Sequence, residues 1–283
     1  MNGNIIINNA SQLVTCSGFR AKQGKSMSDL HVIDHGTVVI ENGIITAVGK
    51  TEDVLAGSAK TGFKTIDATG KAVLPGFVDS HTHFVFDGYR DEEFSWRLCG
   101  EDYMKIMERG GGIVSTVSAT RKASREELIE LGRKRLDSML SFGVTTVEGK
   151  SGYGLDEETE IKQLEVMEAL DRIHAVDVVR TVLGAHAVPI DFKGREEQYI
   201  DYMTDIVMPL VARRKLAEFC DVFCEKNVFS LEQSRRLLLK AKELGFKLKI
   251  HADEIFPLGG AQLSAELGAV SADHLLHASD NAI

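Results

Sequence analysis

A chain of 283 residues that is 43% hydrophobic and 27% charged has ample material for a core and the make-up of a soluble globular protein. Its formal net charge of −9 excludes the broad basic face that nucleic-acid binding requires, although one placed arginine can still hold a small anion. No uninterrupted apolar run approaches a membrane span, and the N-terminus lacks the basic-then-apolar order of a signal peptide, so the expected location is cytoplasmic.

Residues 4–8 are apolar and β-branched, a short strand. Residues 37–48 form a hairpin pattern around Asn42-Gly43, which supplies both positive-φ positions of a type I′ turn. Residues 24–35 between them are polar and read as a loop that includes His31 and His35. Residues 1–70 are therefore expected to make a small β-sandwich part.

From residue 73 the pattern changes to strand, loop, helix, repeated. The strand candidates are 73–80, 144–148, 176–183, 219–224, 246–250 and 269–272, short and mostly apolar, as strands buried on both faces should be. The fourth holds Cys220 and Cys224 with both sulfurs on one face, suited to core packing. With Cys16 and Cys99 they lack the Cys-x-x-Cys spacing of metal or redox sites, and reduced thiols are expected.

Ser124-Arg125-Glu126-Glu127 is a capping box opening a helix that ends near Gly143, and Ser230-Leu231-Glu232-Gln233 opens another that stops near Gly245. Ile161, Leu164, Met167 and Leu170 mark a helical stripe over 156–173. Residues 198–216 read as a helix kinked at Pro209, and 260–267 as a shorter one. This alternation predicts an α/β fold of parallel βα units. Six units fit between residues 73 and 283, against the eight of a closed (β/α)8 barrel. Residues 71–283 are thus expected to form an incomplete barrel, the front part of a longer protein.

Residues 71–83 carry the strongest chemical signal. An apolar run leads into His81 and His83, which point the same way on an extended chain and can chelate one divalent metal. Five of the nine histidines, namely His81, His83, His186, His251 and His274, fall at predicted strand ends, where a barrel places its active site. Glu148, Tyr153, Glu225, Glu254 and Asp273 fall there too. Such a set supports metal-assisted hydrolysis, with an imidazole or carboxylate moving protons. Gly149-Lys150-Ser151 is not a phosphate loop, because Val144 stands where a glycine is needed. Arg109-Gly110-Gly111-Gly112 lacks the preceding strand of a dinucleotide fingerprint, and is expected to pass a loop close over the site.

The stretch Leu74-Pro75-Gly76-Phe77-Val78-Asp79-Ser80-His81-Thr82-His83 resembles the first barrel strand of the amidohydrolase superfamily. Residues 93–98 and 108–113, Gly149-Lys150-Ser151-Gly152-Tyr153-Gly154-Leu155, Leu183-Gly184-Ala185-His186-Ala187-Val188-Pro189 and His251-Ala252-Asp253-Glu254 resemble its imidazolonepropionase family. The resemblance implies a TIM-like (β/α)8 barrel that hydrolyses the cyclic amide of 4-imidazolone-5-propanoate to N-formimidoyl-L-glutamate in histidine degradation. It implies one divalent metal, Zn or Fe, on His81, His83, His251 and an Asp from a last strand outside this chain. Glu254 and His274 match the positions that orient water and shuttle protons. Arg90, Tyr153 and His186 match substrate-contacting positions, with Tyr103 a further candidate beside Arg90. A small anionic substrate and a homodimer are implied, and Lys150 is not expected to be a carbamylated metal bridge. Two other readings stay open: an amidohydrolase acting on a purine or pyrimidine, and a non-catalytic fragment with three histidines and no carboxylate.

Overall fold

A computed structural model of the chain describes residues 3–18, 20–56, 61–101 and 111–282, which fall into two compact units, Met1–Gly76 and Phe77–Ile283. Tyr103, Arg109 and Gly110 lie outside the described residues. No helix among the described residues is long and apolar enough to cross a membrane.

The first unit is a five-stranded sheet in the order β3-β2-β1-β4, with β5 also on β1. Its strands are β1 (Ile5–Val14), β2 (Val32–Glu41), β3 (Ile44–Lys50), β4 (Lys64–Asp67) and β5 (Ala72–Val73), and helix α1 is Thr51–Leu55. Asn42 and Gly43 join β2 to β3 at φ 51 and 80, the two positive values that an Asn-Gly hairpin turn accommodates. β1 runs well past residue 8. A bulge with Asn9 at φ 56 separates the half that pairs β4 from the half that pairs β5. Two consecutive asparagines look like a turn in the sequence, and here they bend a strand that continues.

That longer β1 corrects the loop expected over 24–35. Leu13 and Val14 pair with Ile33 and Val32, so His35 belongs to β2, while His31 stays outside it. Val73 is corrected too. It pairs with Leu13 of β1, and Pro75-Gly76 separates it from the first strand of the second unit.

The second unit is a parallel six-stranded sheet in the order β11-β10-β9-β8-β7-β6. Its strands are β6 (Phe77–Thr82), β7 (Val144–Lys150), β8 (Asp177–Ala185), β9 (Phe219–Cys224), β10 (Lys247–Ala252) and β11 (Ser271–His274). Its helices are α2 (Asp91–Leu98), α3 (Ile113–Lys122), α4 (Arg125–Ser141), α5 (Glu157–Ile173), α6 (Glu196–Tyr202), α7 (Met208–Arg214), α8 (Leu231–Glu243) and α9 (Gly260–Leu267). Both capping boxes form, with Ser124 and Ser230 accepting from the amides of Glu127 and Gln233. The helix expected over 198–216 divides into α6, a wide π turn at Met203–Val207, and α7. Pro209 has no amide to bond the preceding turn, and the widened turn takes up the mismatch.

Apolar side chains fill the layer between sheet and helices: Leu128 and Leu136 of α4, Leu164, Met167 and Leu170 of α5, and Val147, Val182, Val222 and Ile250 of the strands are buried. Cys220 and Cys224 join this layer as free, buried thiols. Within the sheet order β6 and β11 are the end strands, yet His81 of β6 and Asp273 of β11 approach to 2.9 Å. The sheet therefore curls until its two edges face each other across the C-terminal ends of the strands.

Candidate metal centre

Several strands run a residue or more beyond their predicted ends, so His251, Asp273 and His274 lie within strands. The polar side chains at those positions point inward and find partners inside the curled sheet. His81 and His83, on and just after β6, meet His251 of β10. Ring centroids are 4.5 Å apart for His81 and His251, 5.5 Å for His81 and His83, and 5.7 Å for His83 and His251. The three rings expected from the sequence are thus neighbours, although no group of ligand atoms within 4.8 Å of one another among the described residues holds both His81 and His83. Two further rings flank them. His186 stacks on His83 at 4.6 Å, and His274 lies 5.0 Å from both His81 and His251. By donor atoms within 4.8 Å of one another, the rings form two groups that share His251: His81, His251 and His274 on one side, and His83, His186 and His251 on the other.

What fixes the rings decides which nitrogen faces the centre. His83 Nδ1 lies 3.3 Å from the Ser151 carbonyl oxygen and His186 Nδ1 lies 3.0 Å from that of Gly152. A carbonyl only accepts, so each Nδ1 carries the proton and donates, which leaves Nε2 with a free lone pair. His81 Nδ1 is 2.9 Å from Asp273 Oδ2, and His251 Nδ1 is 2.9 Å from Asp221 Oδ2. Four rings therefore turn Nδ1 into the protein. Both ring nitrogens of His251 are buried without a hydrogen-bond partner among the described residues, Nδ1 facing Asp221 only as an ion-pair neighbour, and for Nε2 this costs free energy unless a ligand completes it.

Beneath the rings lies a layer of buried charge that the sequence alone does not reveal as a unit. Lys150 Nζ, on a side chain with no exposed surface, sits 2.7 Å from Glu148 Oε1, 2.8 Å from Asp221 Oδ2 and 3.3 Å from Asp273 Oδ2. Lys249 Nζ sits 2.5 Å from Glu148 Oε2. Burial would raise the Asp221 carboxyl, but the charges of His251 and Lys150 outweigh it and hold it well below the usual range. Burial likewise opposes ionisation of Asp273, and the His81 hydrogen bond with the charges of Lys150 and Lys249 brings it down to about 2. For Lys150 burial pulls the pKa down, and the carboxylates of Asp221 and Glu148 reverse that and raise it. The candidate ligand groups among the described residues hold histidines alone, and two ionised carboxylates stand directly behind His81 and His251. Lys150 works here as an ammonium ion tying those carboxylates together.

Above the rings, an open cavity of about 710 Å³ is lined by His81, His83, His186, His251 and His274 together with Arg90, Tyr153 and Glu254, whereas Glu148 and Asp273 lie in the charge layer below and Glu225 accepts from the Ile255 amide instead. Arg97 lines it as well and was not singled out by sequence. Glu254 Oε2 is 3.5 Å from His274 Nε2. Arg90 precedes α2, and Glu93 on that helix accepts from the Gly112 amide at 2.7 Å, which ties α2 to the start of α3. Tyr153 packs 5.5 Å from both His83 and His186, and burial raises its phenol pKa while the Arg90 charge opposes the shift. Desolvation, reinforced by neighbouring rings, lowers His83 well below the usual imidazole value and His186 to about 3. Neutral imidazole is the form a metal binds.

A model of the amidohydrolase family matches residues 64–111. The imidazolonepropionase of Clostridium tetani is 62% identical to this chain over 281 residues, 99% of this chain and 67% of that protein. The imidazolonepropionase of Parabacteroides distasonis is 58% identical over 282 residues, 100% of this chain and 68% of that protein. The chain thus spans about two thirds of the length of these relatives. Among solved structures, A. niger ochratoxinase superposes with a TM-score of 0.61 at 16% identity, covering 99% of this chain and 62% of that chain, a likeness of fold.

Proposed function

The chain belongs to the imidazolonepropionase family of amidohydrolases, and from that premise we propose that His81, His83 and His251 hold one divalent ion, zinc or iron, for the hydrolytic opening of 4-imidazolone-5-propanoate to N-formimidoyl-L-glutamate in histidine degradation. The observation that carries this reading is the buried Nε2 of His251, without a hydrogen-bond partner among the described residues, beside His81 and His83, whose Nδ1 atoms are turned to Asp273 and the Ser151 carbonyl. Imidazole nitrogen suits both metals, and the carboxylates behind two of the rings fix orientation and raise ligand basicity. An ion there supplies Lewis acidity and makes water easier to deprotonate near neutral pH.

The remaining residues have separable tasks. Glu254 orients the attacking water and takes its proton, and His274, 3.5 Å away, passes a proton to the ring nitrogen as the carbon–nitrogen bond breaks. Arg90 holds the propanoate carboxylate through charge-assisted hydrogen bonds. Tyr153 and His186 confine the five-membered ring on the side opposite Glu254 and His274.

The test compares metal-loaded and chelator-stripped protein on 4-imidazolone-5-propanoate, following loss of substrate absorbance and the mass of the product. Turnover that vanishes on stripping and returns with Zn²⁺ or Fe²⁺ is expected. Metal-loaded protein that leaves this substrate intact but deaminates a neutral purine or pyrimidine would overturn the assignment.

A further inference from the structure

The loop that carries Tyr153 is fastened from behind by a single helix. Four consecutive amides, residues 152–155, donate to two side chains one turn apart on α5. Glu160 Oε1 accepts from Gly152 at 3.2 Å and from Gly154 and Leu155 at 2.9 Å, and its Oε2 accepts from Gly152 at 3.1 Å. Gln163 Oε1 accepts from Tyr153 at 3.3 Å, while its Nε2 donates to the Val85 carbonyl at 2.7 Å. Both side chains are fully buried beside the apolar stripe of α5. Polar groups so placed are costly unless completely paired, and here most of the pairing goes to the main chain of residues 152–155, with Gln163 Nε2 on Val85.

The backbone is shaped to close on that carboxylate. Gly152 has φ +105, and a Cβ there would lie 2.9 Å from the Leu183 carbonyl oxygen. A Cβ at Gly154 would lie 2.7 Å from the Glu160 amide nitrogen and 2.9 Å from its Oε1. Successive amides converging on one carboxylate form a nest, and these hydrogen bonds oppose the burial that raises the Glu160 pKa. What the loop then offers the cavity is the Tyr153 ring and the Gly152 carbonyl that receives His186 Nδ1.

We infer that Glu160, which lies behind the loop rather than along the cavity, is a positioning residue that sets Tyr153 and His186 against the substrate, with Gln163 as its second point of attachment. The inference rests on Tyr153 and His186 being substrate contacts, as proposed above. A carboxylate accepting several amides holds the loop in its binding form before substrate arrives, so ordering is not charged against binding.

The experiment is steady-state kinetics of metal-loaded Glu160→Gln, which keeps the shape and removes the charge. KM is expected to rise about tenfold, the equivalent of one lost charge-assisted hydrogen bond, with kcat within about twofold of the parent and metal content unchanged. Gln163→Leu is expected to raise KM about threefold and serves if Glu160→Gln does not fold. In a Tyr153→Phe, His186→Ala background, Glu160→Gln should add less than about twofold, because the side-chain contacts to substrate that the loop positions have been removed. An unchanged KM, or the same proportional loss in that background, overturns the inference. So does a fall in kcat and metal content at constant KM. A parent protein that does not turn over this substrate counts against the proposed function instead. The inference is then read from the His186 ring by ¹⁵N NMR: its Nδ1 proton should exchange faster in Glu160→Gln, and an unchanged rate overturns it.

Discussion

The two sides of the histidine cluster are held by different means. His81 and His251 rest Nδ1 on the carboxylates of Asp273 and Asp221, which Lys150 ties together from below. His83 and His186 rest theirs on the carbonyls of Ser151 and Gly152, in a loop held by Glu160 and Gln163. Rings on buried charge keep their place only while the ions balance. Rings on carbonyls keep theirs only while the loop keeps its shape. The first side should therefore fail through metal affinity, and the second through substrate binding where it carries Tyr153 and His186, with metal affinity following only if His83 is displaced.

The largest effect should come from the ring common to both donor groups. His251→Ala is expected to lose bound metal and turnover together, read by elemental analysis and the substrate assay. Full metal content in that variant would break the comparison at its centre. Next comes Lys150→Met, which leaves Glu148, Asp221 and Asp273 without their shared cation. Metal affinity should fall about 10–100-fold in chelator competition, as for loss of an outer-shell partner. Stability should fall by about 3–5 kcal/mol in urea unfolding, the usual cost of removing one partner from a buried ion cluster. A raised KM at full metal occupancy would mean that the two sides are not separable.

Arg90→Ala should raise KM by about tenfold or more and leave metal affinity unchanged, since it removes hydrogen bonds to the substrate carboxylate and no metal ligand. An unaltered KM would remove the propanoate contact from the account. The smallest effect is expected from Gly152→Ala. The added methyl meets a carbonyl oxygen at 2.9 Å in a backbone region that favours glycine, costing at least about 1 kcal/mol and raising KM a few-fold. Thermal unfolding and kinetics on the same preparation check both, and a loss of metal without a change in KM would reverse the assignment of sides.

Much of this was legible in the sequence where the cause is local. Ser124 and Glu127, or Ser230 and Gln233, are three residues apart, so the hydrogen bonds that start both helices can be seen in the order of residues. The inward direction of His81 and His83 follows from the period of a strand. The buried charge layer is another matter. Lys150 meets Asp221 and Asp273 across 71 and 123 residues, and no pattern within one strand reports partners supplied by others. Its trace was the placing of Glu148 and Lys150 two apart in a strand otherwise suited to burial. Glu160 and Gln163 left a similar trace as polar residues next to the stripe of Ile161 and Leu164, where buried side chains need partners. The longer β1 was hidden because Asn8-Asn9 has the composition of a turn, and only pairing with β2, β4 and β5 shows that the chain carries on.

The most direct measurement is anomalous scattering at the metal edge from crystals of the zinc-loaded protein. One ion bonded at about 2.0–2.1 Å to Nε2 of His81, His83 and His251 is the predicted result. An ion bound through any Nδ1, or seated away from His251, would contradict it.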